Sequence, residues 1–222
     1  MDKKYNFTPD WISGFSHSDG SFMVSFWNQK RGIPVRPQPI FNITQSINEL
    51  DLFIELQKYL GVGRIQKNRN NVIYSVKSID EIVSVILPLF DKHPVRGNKL
   101  LAYNIFKKVS LMVKDKKHLT VEGTIQIIEL AYFMNINTSL RSELSKQNLL
   151  TKLEIKYGKL PIFSQIKFPP CAPPLVGPLT LEFVRGLVDG DGSFNVSFRT
   201  SRRRIAVNFT IVDGASPPLS LF

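Results

Sequence analysis

The sequence predicts an α+β fold built from two pseudo-symmetric αββαββα units, the second of them incomplete. Three observations predict it. Residues 12–26, ISGFSHSDGSFMVSF, return without a gap as residues 184–198, VRGLVDGDGSFNVSF, 172 positions later, and DGSFMVSF matches DGSFNVSF at seven of eight positions. Each copy reads as a helix, a turn and an alternating strand. Between them lies a stretch whose periodicity fades and which holds Pro161, Pro169, Pro170, Pro173, Pro174 and Pro178.

The elements follow in order. Thr8 caps a helix from about Pro9 to Ser18, with Asp10 in its first turn, and Thr180 and Glu182 repeat that start at the same offset. After Asp19-Gly20, the apolar Phe22, Val24 and Phe26 alternate with Met23, Ser25, Trp27 and Gln29, as in a half-buried strand. A second strand is expected around 38–46, then a helix around 49–60 that Gly61 stops. Strands at 63–67 and 72–77 flank the turn NRNN, and Ser78 with Glu81 forms a capping box opening a helix to about Phe90. Helices over 99–113 and 120–134 complete the first unit, residues 1–134. Residues 135–178 are expected to be a stiff, extended linker, because proline neither continues a helix nor sits in a central strand. The second unit, 179–222, reaches a strand at 205–212 and is read as truncated after it, at about one third of the first unit's length. Its apolar surface would then need cover from the first unit.

Composition narrows the function classes. The 222 residues are 43% hydrophobic, enough for a substantial core. Lys and Arg number 29 against 18 Asp and Glu, giving a net charge of +11 that favours a polyanionic partner. Cys171 is the only cysteine, which excludes an internal disulfide and a Cys-rich zinc site. His17, His93 and His118 show no metal-ligand spacing. The charged start, residues 1–6, has no signal-peptide core, and the longest apolar runs fall short of the roughly 20 residues of a membrane span. A non-secreted chain without a membrane segment is expected.

The nine-residue stretches ISGFSHSDG and VRGLVDGDG resemble the signature of the LAGLIDADG homing endonucleases, and the resemblance runs from about Phe7 onward. It implies a two-motif, single-chain, intron-encoded type with a saddle-shaped antiparallel sheet. It also implies packed signature helices, with Gly14 and Gly186 where only a missing side chain lets the backbones approach. The closing acids, Asp19 and Asp191, are then the catalytic metal ligands. Phosphodiester hydrolysis needs a nucleophilic water and a cation facing the developing charge. One carboxylate from each helix, with backbone carbonyls and DNA phosphates, is an adequate set for Mg2+ or another divalent cation. Asp-Gly pairs are equally common as plain turns after helices, and the two roles are compatible.

The resemblance also implies that the sheet lies in the DNA major groove. Ser25, Trp27, Gln29, Gln38 and Asn42 in the first unit, with Asn195 and Ser197 in the second, would then face base edges. Arg31 and Arg36, and Arg199 and Arg203, would meet phosphates. Alternation alone predicts a solvated sheet face equally well. By position, Gln45 matches a glutamine that organises active-site water and Lys99 a basic residue near the scissile phosphate; a strand-end amide and an exposed helix start are the plainer readings. Position 17 departs from the signature, carrying His17 where an acid is usual.

The expected function is Mg2+-dependent, site-specific cleavage of double-stranded DNA in intron homing, by a monomer of mitochondrial, organelle-encoded origin. The alternatives are an RNA-binding maturase acting on its host intron, and an inactive remnant of a homing endonuclease.

Overall fold

The computed structural model describes residues 5–134, 142–160, 178–199 and 204–211, and for 194–199, 204–208 and 211 the backbone path. Helix α1 (Pro9–Asp19) starts where the Thr8 hydroxyl accepts from the Trp11 amide, with Pro9 at its first position. It runs one residue past the expected end and hands over directly to β1 (Gly20–Asn28), which pairs antiparallel with β2 (Val35–Ser46).

A 3-10 turn (Ile47–Glu49) leads into α2 (Leu50–Leu60), which ends on Gly61 at φ +71°. Strands β3 (Arg64–Asn68) and β4 (Asn71–Val76) form a hairpin, and the sheet order is β1-β2-β4-β3 with every neighbour antiparallel.

Helices cover the apolar face of this sheet. The stretch expected to be one helix after Ser78 is α3 (Ile79–Glu81), a π-helical turn (Ile82–Ile86) and α4 (Leu87–Lys92). Pro88, lacking an N–H, cannot donate back into the preceding turn, and the extra residue of the π turn absorbs the mismatch. Next come α5 (Gly97–Lys114) and α6 (Val121–Ala131), the latter capped by Thr120. Phe22 and Phe41, from paired positions of β1 and β2, pack against Phe90, Tyr103 and Phe106 at the centre of the core.

The expected extended linker is corrected in part. Helix α7 (Glu143–Tyr157) occupies it, capped by Ser142 and closed at Gly158 with φ +79°. The prolines that suggested extension all lie later than this helix, between 161 and 178. Its amphipathic signal is faint because Leu149, Leu150 and Leu153 crowd into barely one turn. They pack on Ile33 and Val35 of the β1–β2 hairpin and Ile125 and Ile128 of α6.

After residue 178, α8 (Leu181–Asp191), β5 (Gly192–Arg199) and β6 (Arg204–Ile211) repeat the helix-strand-strand start, with β5 and β6 paired antiparallel. Helix α8 lies against α1. Among the described residues no helix is long and apolar enough to cross a membrane.

Candidate active site and nucleic-acid interface

The two repeated helices meet through their glycines. A Cβ on Gly14 would stand 2.0 Å from the Phe183 carbonyl oxygen, and one on Gly186 would stand 2.1 Å from that of Trp11. The reciprocal contacts mark a two-fold relation between α1 and α8, so both helices end on the same side and bring Asp19 and Asp191 together.

Hydrogen bonds lock this arrangement. The Ser18 hydroxyl donates to the Leu187 carbonyl at 3.0 Å, and the Thr8 hydroxyl donates to Glu182 at 3.2 Å. The Trp11 indole N–H donates to Asp189 at 2.7 Å. The departure at position 17 has its explanation here. Trp11 and Phe183 are equivalent by the repeat, as are His17 and Asp189. Where the aromatic residue is Trp, an acid accepts its N–H; where it is Phe, His17 packs by its ring, 5.9 Å from Phe183 between centroids.

The acids sit in a mixed field. Partial burial first, and the Asp191 carboxylate second, raise the Asp19 pKa above its ordinary value, against the lowering pull of Gln45 and Lys99. The Gln45 side-chain N–H donates to Asp19 Oδ2 at 2.6 Å. Lys99 Nζ donates to the carbonyls of Ser16, Ser18 and Gly20 at 3.2, 3.0 and 2.8 Å, at the negative end of α1. Gln45 and Lys99 thus both reach the end of the first signature helix.

One contributor escaped the sequence reading. A Cβ at Gly190 would lie 2.4 Å from Ser18 Cβ and 2.7 Å from Asp19 Oδ2, so only glycine fits beside the carboxylate. Its signal was available in the repeat alignment, which sets Gly190 opposite Ser18.

The pair fits a hard divalent cation. After burial, the Asp191 carboxylate is what raises the Asp19 pKa, a like-charge repulsion that a bound cation would relieve. Among the described residues no group of three His, Cys, Asp or Glu side chains could hold a metal. A site on Asp19 and Asp191 therefore leaves positions for carbonyl, water or phosphate oxygens, the pattern of Mg2+ and Ca2+ and not of a closed zinc site.

Directly paired strand residues share a face of the sheet, so the register defines a surface opposite the core. Trp27 pairs with Arg36, Ser25 with Gln38, and Ser21 with Asn42, which continues through Ser75 to Arg64 as one polar row across four strands. Of the expected contacts, Ser25, Trp27, Arg36, Gln38 and Asn42 lie on this face. Trp27, at 59% exposure, donates its indole N–H to Gln38 at 2.9 Å, and Ser75 donates to Asn42 at 2.6 Å.

Gln29 follows β1, and its amide donates to the Ile33 carbonyl, closing the hairpin. Arg31 is exposed at the hairpin tip. Asn195, Ser197 and Arg199 fall on the backbone path of β5, with side chains outside the described set, and Arg203 lies outside the described residues. The register adds Arg64, Gln66 and Asn68 of β3, all exposed on the same face. Their alternation with Ile65 and Lys67 carries little polarity contrast, which is why pattern alone did not assign them.

Helix α7 forms the far wall of a cleft of about 800 Å³ beside β1, lined by Ser25, Trp27, Lys99, Asn148 and Lys152 among others. Lys152 donates to Asn28 at 2.7 Å and Lys156 to the Gly32 carbonyl at 2.6 Å, fastening α7 to the hairpin.

Residues 12–110 match the model of the LAGLIDADG endonuclease family. A protein of Mycosarcoma maydis described as a probable intron-encoded DNA endonuclease 1 is 43% identical over 211 residues, covering 95% of this chain and 76% of the relative. The Schizosaccharomyces pombe protein described as a probable intron-encoded endonuclease Cox1-I1b is 25% identical, over 97% of this chain and 48% of its own length. Among solved structures, I-SmaMI bound to an uncleaved DNA target in the presence of calcium ions superposes with a TM-score of 0.76 at 26% identity, covering 93% of this chain and 67% of that one.

Proposed function

The chain belongs to the LAGLIDADG endonuclease family, and from that premise we propose that it cleaves both strands of a specific DNA site at the junction where its intron inserts. The observation that carries the proposal is the tight pairing of α1 and α8 through Gly14 and Gly186, which sets two acids at one end of a helix pair beside a polar sheet face. One chain supplies both acids, so the acting species is a monomer.

Asp19 and Asp191 would hold Mg2+ or a similar divalent cation. When bound, the cation supplies charge stabilisation at the scissile phosphate and makes a water more acidic. Gln45, through its hydrogen bond to Asp19, fixes that carboxylate's orientation and favours its charged form. Lys99 sits on the α1 carbonyls, within the cleft beside β1, as a fixed positive charge for the phosphate chain. The face bearing Ser25, Trp27, Gln38, Asn42, Arg64 and Gln66 reads base edges, and Arg31 and Arg36 at its margin meet phosphates. The intron-encoded relatives support a mitochondrial gene origin.

The test is cleavage of a duplex library spanning the intronless junction in the presence of Mg2+. The chain should cut one site, and Asp19→Asn and Asp191→Asn should each abolish cutting. Cleavage that persists in both substitutions refutes the assignment of the acids.

A further inference from the structure

We propose that a second, cationic cleft at the outer end of the sheet binds the phosphate backbone of duplex DNA beyond the base-reading face. It rests on the endonuclease reading and extends the footprint it implies. The cleft, about 560 Å³, opens where β2 runs on past the end of β4, and is walled by the start of α3 and the end of α5. Its lining brings together Arg36, Lys77, Lys114, Lys116 and His118, with Asp80 as the one carboxylate.

Asp80 is engaged by Lys114. Among the described residues no carboxylate pairs with Arg36, Lys77 or Lys116, although all three are exposed. Three uncompensated cations around one concavity favour an anion strongly, and a chain of phosphates is the ligand that can meet all three. Burial first, and the Arg36 guanidinium second, hold the His118 imidazole below its ordinary pKa.

Continuity decides for duplex DNA. Arg36 and Gln38 belong both to the cleft wall and to the polar sheet face, so a duplex following that face along β2 delivers its next phosphates to Lys77 and Lys116. Lys116 lies at φ +61°, the left-handed position with which α5 terminates.

The experiment measures affinity for a labelled random-sequence DNA duplex across a salt series, which requires no knowledge of the cleavage site. The double substitution Lys77→Ala with Lys116→Asn removes two charges while asparagine tolerates the left-handed backbone. Lys58→Glu on α2 removes the same net charge elsewhere. Thermal melting checks that each variant folds. The double variant should bind more weakly, and its plot of log affinity against log salt should lose roughly 1.8 units of slope, about 0.9 for each phosphate contact. Lys58→Glu should stay close to the wild type.

A double variant that matches Lys58→Glu overturns the cleft assignment and leaves the endonuclease reading intact. A wild-type chain without salt-dependent duplex affinity overturns both. If the double variant loses affinity for single-stranded RNA and retains it for the duplex, the DNA assignment is wrong.

Discussion

Replacing Gly14 by alanine tests the helix pair most sharply, because the two available outcomes differ in sign. In an isolated helix interior the change adds about 1 kcal/mol of stability, glycine being the more costly residue to order. Here the new Cβ would stand 2.0 Å from the Phe183 carbonyl oxygen and 2.9 Å from its carbon, backbone atoms that no rotamer change can move. Reaching even 3.0 Å requires α1 and α8 to part by about 1 Å at this crossing. Overpacking of this kind costs about 1–3 kcal/mol. A shift of that size also stretches the Ser18–Leu187 and Trp11–Asp189 hydrogen bonds out of range, at ~1–3 kcal/mol each. Set against the propensity gain, a net loss of roughly 2–8 kcal/mol is expected.

Activity should fall further than stability suggests, because displacing one acid from the other by about 1 Å can cost on the order of 100-fold in rate. Urea denaturation gives the first quantity, and single-turnover cleavage under conditions where the variant is folded gives the second. Gly186→Ala, with its 2.1 Å approach to the Trp11 carbonyl, should behave alike. A Gly14→Ala chain that is about 1 kcal/mol more stable than the parent and cuts normally would refute the close helix pair.

Three further predictions concern the site and its frame. The Asp19 pKa is raised in the folded chain, so the folded state holds the Asp19 proton more tightly; the stability tied to that proton is present at acid pH and is lost as pH rises from about 3.8 through the folded value. Asp191→Asn removes one raising influence, so denaturation across pH should show it matching the parent in acid and exceeding it towards neutrality, with added Mg2+ closing the gap. Gln45→Ala deletes a hydrogen bond that lowers the Asp19 pKa, so the acid limb of the pH–rate profile should move to higher pH, and an unmoved limb would dissociate Gln45 from Asp19. Leu153, fully buried between α7 and the hairpin, should cost about 2–5 kcal/mol as Leu153→Ala, and limited proteolysis should cut within 143–157 first.

The sequence by itself determined the duplication, the caps at Thr8 and Thr180, the strand alternation from Phe22 to Phe26, and thereby the family and its two acids. These are local signals or exact repeats, and hydrogen bonding within a few residues or matching across 172 positions suffices to read them. Local patterns were silent where long-range packing decides. Helix α7 owes its place to Ile33, Val35, Ile125 and Ile128, residues distant in the chain, and the π turn before Pro88 reconciles a helix with a core it must face.

The same holds at the site. Only the strand register could set Arg64 in the row of Asn42 and Ser21, since a one-residue slip would turn it to the core. Only the crossing of α1 and α8 could make Gly190 obligatory beside Asp19 and turn His17 into the partner of Phe183. Composition and spacing name the chemical groups, but the distances that raise the Asp19 pKa arise when two helices far apart in sequence pack with nothing between their backbones.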